Sequence, residues 1–438
     1  MKILYVNDLR DFPNWGCRAT GTALSELIEM NHVVIDRIGK ETGNNSGWHA
    51  FAEPRIRLNG VLPRFIFDWS WRIRGVYPKI SKLTALIDRV FGAKHDFVKL
   101  DPKNSVTEFF AVMTKIPRLQ DIYDSFLESD AVIINGEGTL IFRKKMDRDA
   151  KFLLFIIELA RQADKPCYLM NAMLSDSPIS TVASRVKDMV GRTLNSLDTI
   201  TLRDEFSLEI AKAIAPDANI HLIPDALFTW SGKIASARKR FLEDPLNGLI
   251  FEDSGICQKI KFNEPYICLA GTSLVVDKQH TIECFVNLVK ELKSLNMQIL
   301  LVETCVGDVF LRSVALQTNL PVLTYSNPVM TGAAIVSNAT VFVTGRFHPS
   351  IMAATGGTPC VYFGSNSHKN LTLQKVLQYE NTTHYSVTPS KLDCTSIVAD
   401  VKSYVMSGDA TREKIFKRVV ELDKAAKFGV SKVLDDLT

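Results

Sequence analysis

The sequence lacks any apolar run long enough to cross a bilayer. Its longest central stretch, Phe152 to Ile157, is cut by Glu158, whereas a membrane-spanning helix needs about 20 residues. It does not open like a signal peptide either, because Met1-Lys2-Ile3-Leu4-Tyr5-Val6-Asn7-Asp8 places an acid where such a peptide carries its apolar core. The expectation is a cytoplasmic protein, at most peripheral to the inner face of the membrane. The eight cysteines form no CxxC pair and follow no interval, so they are read as reduced core thiols rather than a zinc site or a disulfide framework. The histidines other than His348 show no HxH or HExxH spacing, which disfavours a catalytic metal. GxSxG and P-loop patterns are missing as well, so hydrolase and P-loop NTPase chemistry falls away. Charge of one sign is also scarce: a formal net charge of +4 over 438 residues argues against a dedicated nucleic-acid binder.

What is present is an ordinary globular composition, 46% hydrophobic and 23% charged, in a chain longer than one core usually serves. Short buried-type strands alternate with helical patterns. Ile3-Leu4-Tyr5-Val6 is followed by a polar loop and a helix from Ala19 to Met30, and Ala131 to Ile134 runs into Asn135-Gly136-Glu137-Gly138-Thr139. A helix at Phe152 to Ala163, strands at Pro166 to Met170 and Asp198 to Arg203, and a helix at Glu205 to Ala215 complete the first series. The pattern breaks down over 231–262, and a second series begins with Tyr266 to Ala270. This strand–helix grammar predicts two α/β domains, 1–235 and 236–438, each with a largely parallel sheet. The last segment, Thr411 to Leu437, reads as a long amphipathic helix that could cross back to the first domain.

Residues 44–125 stand apart as an insertion. Arg64-Phe65-Ile66-Phe67-Asp68-Trp69-Ser70-Trp71-Arg72 interleaves aromatics with arginines, and bases far outnumber acids over 55–94. Such a segment reads first as a solvated face over a buried stripe, second as weak contact with an anionic membrane surface, and otherwise as an acceptor-binding insertion.

The strongest chemical signal is Val341-Phe342-Val343-Thr344-Gly345-Arg346-Phe347-His348-Pro349. A buried strand delivers an Arg and a His into a loop that opens a helix, and the carboxyl ends of parallel strands are where ligands bind in such sheets. The guanidinium suits a phosphate or carboxylate, and the imidazole exchanges protons near neutral pH. Gly136 and Gly138 allow close backbone approach after a strand, but the spacing is not a Rossmann fingerprint. For Arg203, a local ion pair with Asp204 competes with a ligand role.

Arg346-x-His348, a small-residue helix, then Gly357-x-Pro359 and a strand resemble the C-terminal signature of the polysaccharide pyruvyl transferase family. Asn14-Trp15-Gly16-Cys17-Arg18 resembles that family's early glycine-containing loop, Asn135 to Thr139 its central glycine-rich loop, Thr201 to Asp204 its mid-chain Arg strand, and Pro224-Asp225 its boundary Pro-Asp. The matches run in order from residue 14 to about 370. Cys17 stands where the family often has an acid, and Gly136-Glu137-Gly138 replaces a run of glycines.

The resemblance implies two Rossmann-like domains facing a cleft, as in GT-B transferases. It also implies transfer of a pyruvyl group from phosphoenolpyruvate to a cell-surface glycan or its lipid-linked precursor, without cofactor or metal. Arg203, Arg346, His348 and Lys369 would hold the donor, with His348 as the acid-base residue. Asn14, Gly16, Arg18, Gly136, Glu137 and Gly138 would line the acceptor side. The alternatives are a glycosyltransferase using a sugar nucleotide on the same scaffold, and a non-enzymatic protein that binds anionic glycans.

Overall fold

The computed structural model describes residues 1–43, 96–114, 117–244, 249–252, 260–274 and 278–437. The basic-aromatic stretch and its possible membrane contact at 55–94 lie outside the described residues. Further along the chain, the rest of the expected insertion forms the helices Pro102–Met113 and Pro117–Glu128.

The first sheet holds β1 (Lys2–Asp8), β2 (Val33–Gly39), β3 (Ala131–Phe142), β4 (Cys167–Asp176), β5 (Thr199–Leu202) and β6 (Ile220–Leu222). Their order is β2-β1-β3-β4-β5-β6, and every pairing is parallel. The second sheet holds β7 (Phe251–Glu252), β8 (Tyr266–Thr272), β9 (Gln298–Val302), β10 (Val322–Leu323), β11 (Val341–Gly345) and β12 (Cys360–Tyr362), in the order β12-β11-β8-β9-β10-β7. Only the edge strand β7 runs antiparallel, against β10.

The central strands are largely apolar because both faces are covered, and successive side chains point to opposite sides. In β1, Leu4 and Val6 join a core under the helices Pro102–Met113, Pro117–Glu128 and Arg148–Gln162, while Ile3 and Tyr5 face another core. That second core is shared by the two domains. It gathers Ile3, Tyr5 and Trp15 with Tyr266, Cys268 and Phe342, under the helices Val329–Asn338 and Phe347–Ala354. The final helix, Asp409–Asp435, lays Ile415, Val419, Leu422, Ala426, Val430 and Val433 along one buried stripe. It packs on the 226–230 turn and on the helix Trp15–Glu29, so it does cross back to the first domain.

Four local differences from the sequence pattern have physical causes. The first helix begins at Trp15 rather than Ala19, because the Asn14 side chain accepts a hydrogen bond from the Cys17 N–H and caps it. The Asn135–Thr139 segment is not a loop: β3 continues through it to Phe142, with a register shift between Glu137 and Leu140. Within the 231–262 stretch, Ser231–Glu243 is a helix whose Ile234, Ala237 and Phe241 are buried. His348 lies inside the helix Phe347–Ala354, where a preceding loop was expected.

Candidate active site

In each sheet the strand order reverses at one place, and there the connections leave in opposite directions and open a crevice. The first sheet reverses between β1 and β3, the second between β8 and β11. Glu137 lies on β3, and Arg346 and His348 follow β11 directly. The two crevices therefore face each other, with the Asn14–Arg18 segment between them: Asn14 bridges to Cys305, and the Trp15 N–H donates to the Thr304 carbonyl at 2.9 Å.

His348 stands at the junction, 5% exposed. Its Nε2 lies 3.1 Å from Arg203 Nη1 and 3.3 Å from Asp225 Oδ2. Arg203 Nη1 donates to the same Asp225 oxygen at 2.8 Å. The three side chains form a closed triangle that crosses the domain boundary, and a neutral Nε2 accepts from Arg203 whereas a protonated one donates to Asp225. Nδ1, the other ring nitrogen, points toward Glu137 Oε1 at 3.8 Å. The Arg203 guanidinium lies 4.5 Å over the Phe347 ring, a favourable seat for a planar cation. Thr20 Oγ1 donates to the second Asp225 oxygen at 2.9 Å, and the Leu227 N–H donates to it as well.

Asp225 is fully enclosed. Burial, the largest influence, pushes its carboxyl up, but His348, Arg203 and the Leu227 N–H together outweigh burial and hold it well below the usual carboxylate range. Glu137 behaves alike: burial raises it, and Lys40, then His348 and Arg203, bring it down to about 2. Both carboxylates are therefore charged at neutral pH. Glu137 also carries a positive φ of 40°, an uncommon conformation for a residue with a side chain and one that marks functional segments.

Cations surround this pair. Lys40 Nζ lies 4.0 Å from Glu137 Oε2 and 3.9 Å from Asp149 Oδ2. Arg346 turns its Nε and Nη2 to Asp308 Oδ1, at 3.2 and 2.7 Å. Lys369 donates to Asn366 Oδ1 at 2.9 Å. Burial lowers the Lys369 ammonium; Glu137 pulls it back up, Arg203 and Arg346 press it down again, and it comes to rest at about 8. A cluster with this charge is suited to a small polyanion whose oxygens replace lost water.

Of the residues singled out from sequence, the structure brings Arg203, Glu137 and His348 into direct neighbourhood, with Gly16 packed on His348 and Gly138 beside Arg203. Arg346 and Lys369 join this cluster through their charges, Lys369 feeling Glu137, Arg203 and Arg346. Gly136 instead sits against Ala172 of β4, where a β-carbon would come within 2.4 Å of the Ala172 Cβ. Asn14 spends its side chain on the helix cap, and Arg18 Nε donates to the Arg10 carbonyl at 3.1 Å. The expected local pair of Arg203 with Asp204 does not form: Asp204 caps the helix Glu205–Ile214 and meets His368 Nε2 at 3.0 Å. Sequence reading passed over Lys40, Asp225 as a site residue, and Asp308. Asp225 was findable as an acid just past a parallel strand; nothing local marked Lys40.

A family model for polysaccharide pyruvyl transferase matches residues 53–367. No curated protein sequence matches the chain. Among solved structures, UDP-GlcNAc 2-epimerase from Neisseria meningitidis, bound to UDP-GlcNAc, is similar at 10% identity and a TM-score of 0.55, over 99% of this chain and 100% of that one. The α,α-trehalose 6-phosphate synthase from Burkholderia multivorans is similar at 11% identity and a TM-score of 0.53, over 100% and 98%. Those likenesses establish a GT-B-like fold and carry no substrate with them.

Proposed function

Because the chain belongs to the polysaccharide pyruvyl transferase family, we propose that it moves a pyruvyl group from phosphoenolpyruvate onto two hydroxyls of a sugar in a glycan or its precursor. In that reaction a proton adds to the enol methylene, two sugar oxygens bond to the neighbouring carbon, and the bond to phosphate breaks. The sugar gives up two protons; one balances the new methyl group and the other leaves with phosphate. Nothing is oxidised or reduced.

The observation that carries this reading is the placement of His348. Its Nε2 is fixed by Asp225 and Arg203, and its Nδ1 is turned toward Glu137 at 3.8 Å. Asp225 stabilises the imidazolium and sets its orientation, as a buried carboxylate does for a catalytic histidine. Protonated His348 delivers its proton from Nδ1 to the methylene. A carboxylate at about 2 is too weak a base to strip a hydroxyl at neutral pH. Glu137 therefore orients an acceptor hydroxyl and steadies the positive charge that develops. Lys369 and Arg346 receive the phosphate and carboxylate charge. The donor is made in the cytoplasm, which is where the protein would act.

Thermal unfolding of the purified protein with phosphoenolpyruvate, inorganic phosphate and UDP-sugars tests the reading. Phosphoenolpyruvate should stabilise it selectively, and Lys369→Met should weaken that effect. Stabilisation by a UDP-sugar in its place would make the protein a glycosyltransferase.

A further inference from the structure

Next to the charged cluster lies a cavity of a different chemical kind. It occupies about 530 Å³ between the two domains, within the range of small-ligand sites. One wall comes from the end of β4 and the helix Glu205–Ile214, the other from Leu274, residues 364, 365, 367, 368, 370 and 371, and the segment 384–387. Among its described lining residues there is no lysine or arginine. The one carboxylate, Asp176, is paired with Lys187 at 2.8 Å.

Hydroxyls and aromatic faces line it instead. The His368 ring stacks on Phe206 with centroids 5.4 Å apart, fixed by its bond to Asp204. Tyr385 lines the cavity as well, its hydroxyl donating to Asp400 Oδ2 at 2.6 Å. Ser365 shares hydrogen bonds with Ser273 and Asn366. The Phe206 ring is already taken by His368 and by Lys375, whose Nζ lies 4.3 Å from its centroid; the Tyr385 and His368 rings beside the Ser365 and Ser367 hydroxyls match a pyranose, which presents C–H groups on its faces and hydroxyls round its edge.

One segment walls both compartments. Asn366 Oδ1 accepts from Ser273 and Ser365 on the neutral side and from Lys369 on the charged side. Ser367 lines the cavity and donates to Met173 Sδ, which also receives Arg203 Nη2, each at 3.8 Å. A sugar in the cavity would thus lie one side chain away from the donor's cations.

We propose that this cavity is the acceptor subsite and that it selects an uncharged pyranose over a uronate or a phosphorylated sugar. The assignment rests on the charged cluster being the donor site. Division by charge keeps the trianionic donor out of the acceptor position, whose described lining holds no lysine or arginine, and leaves the acceptor's two hydroxyls to reach the charged cluster past Ser367.

Saturation-transfer NMR on the full chain tests it, with neutral methyl glycosides of glucose, galactose and mannose and methyl glucuronide as probes, in the presence of phosphoenolpyruvate. Leu371→Trp and Leu274→Trp fill the cavity from neighbouring walls without touching the charged cluster. At least one neutral glycoside should bind, the glucuronide more weakly, and each tryptophan should weaken the neutral glycoside about tenfold or more while stabilisation by phosphoenolpyruvate persists. Binding untouched by either tryptophan, a preference for the glucuronide, or no neutral glycoside bound at all would overturn the proposal. Loss of glycoside in both variants, from a protein that phosphoenolpyruvate does not stabilise, would sink the donor reading and uphold the cavity as a sugar site.

Discussion

Gly16 packs directly against His348: a β-carbon at position 16 would sit 2.7 Å from the His348 Cβ and 3.0 Å from its Nδ1. Neither contact is tolerable, so any side chain there must displace the imidazole or the helix that carries Gly16. The requirement for glycine is a matter of space, and it links the first helix of one domain to His348 of the other.

Gly16→Ala should therefore lower turnover about 100-fold, the penalty for misplacing a reacting group by about an ångström, with a stability loss of only about 1–3 kcal/mol. His348→Ala should cost turnover about 100-fold or more by removing the proton donor. The double variant identifies the route. In the His348→Ala background the added alanine should change turnover little, whereas independent effects would multiply.

Asp225→Asn should destabilise the protein by about 3 kcal/mol, because it leaves Arg203 as a buried cation without its carboxylate. The acid limb gives a second readout. The native carboxyl is held below its ordinary value, so its stabilisation is complete above about pH 4 and fades as pH falls further. Urea unfolding midpoints measured from pH 6 down to pH 3 should fall less steeply in the asparagine variant. Parallel slopes would mean that another carboxylate controls acid unfolding.

The strands were legible because a buried parallel strand must be apolar on both faces: Ile3 to Val6, Ala131 to Ile134, Tyr266 to Ala270 and Val341 to Thr344 are all in place. Arg203, Arg346 and His348 were legible for the same reason, as polar residues at the ends of such strands. The helices Ser231–Glu243 and Lys391–Ser407 were not, since each buries only a narrow stripe: Ile234, Ala237 and Phe241 in one, Cys394, Ile397 and Val401 in the other. Partner choice was least legible. Arg203 ignores the acid beside it for one 22 residues away, because its guanidinium reaches inward past β6 while Asp204 is taken up by a helix cap. A linear pattern holds no record of which direction a long side chain leaves its strand.

Lys369 predicts opposite pH dependences for stability and donor binding. Its ammonium is lowered to about 8 by burial and by Arg203 and Arg346. Between about pH 8 and its ordinary value the folded state holds less proton than the unfolded one, so this group's contribution to stability rises with pH. Donor affinity should fall over the same window, by up to about tenfold per unit, as the cation is lost. Calorimetric titration with phosphoenolpyruvate from pH 7 to 9.5 checks this, and Lys369→Arg should flatten the profile because arginine stays charged. A wild-type affinity independent of pH would remove Lys369 from the donor site.

Trp15 is where the two domains are clipped together. It is 1% exposed, and its indole N–H donates to the Tyr325 and Asn327 carbonyls at 3.0 Å each. Its ring lies so close over Gly332 that a β-carbon there would meet Cζ3 at 2.4 Å. Trp15→Ala removes a ring from the shared core and leaves the two carbonyls unpaired, at a cost of about 3–5 kcal/mol. That loss falls on the contact between domains more than on either sheet. Calorimetry should consequently resolve two unfolding transitions where the native protein should show one, and Gly332→Ala, which pushes the same ring out from the other side, should split the transition in the same way. A single transition at unchanged temperature in both variants would show that the final helix and the Arg203–Asp225–His348 triangle couple the domains without the tryptophan.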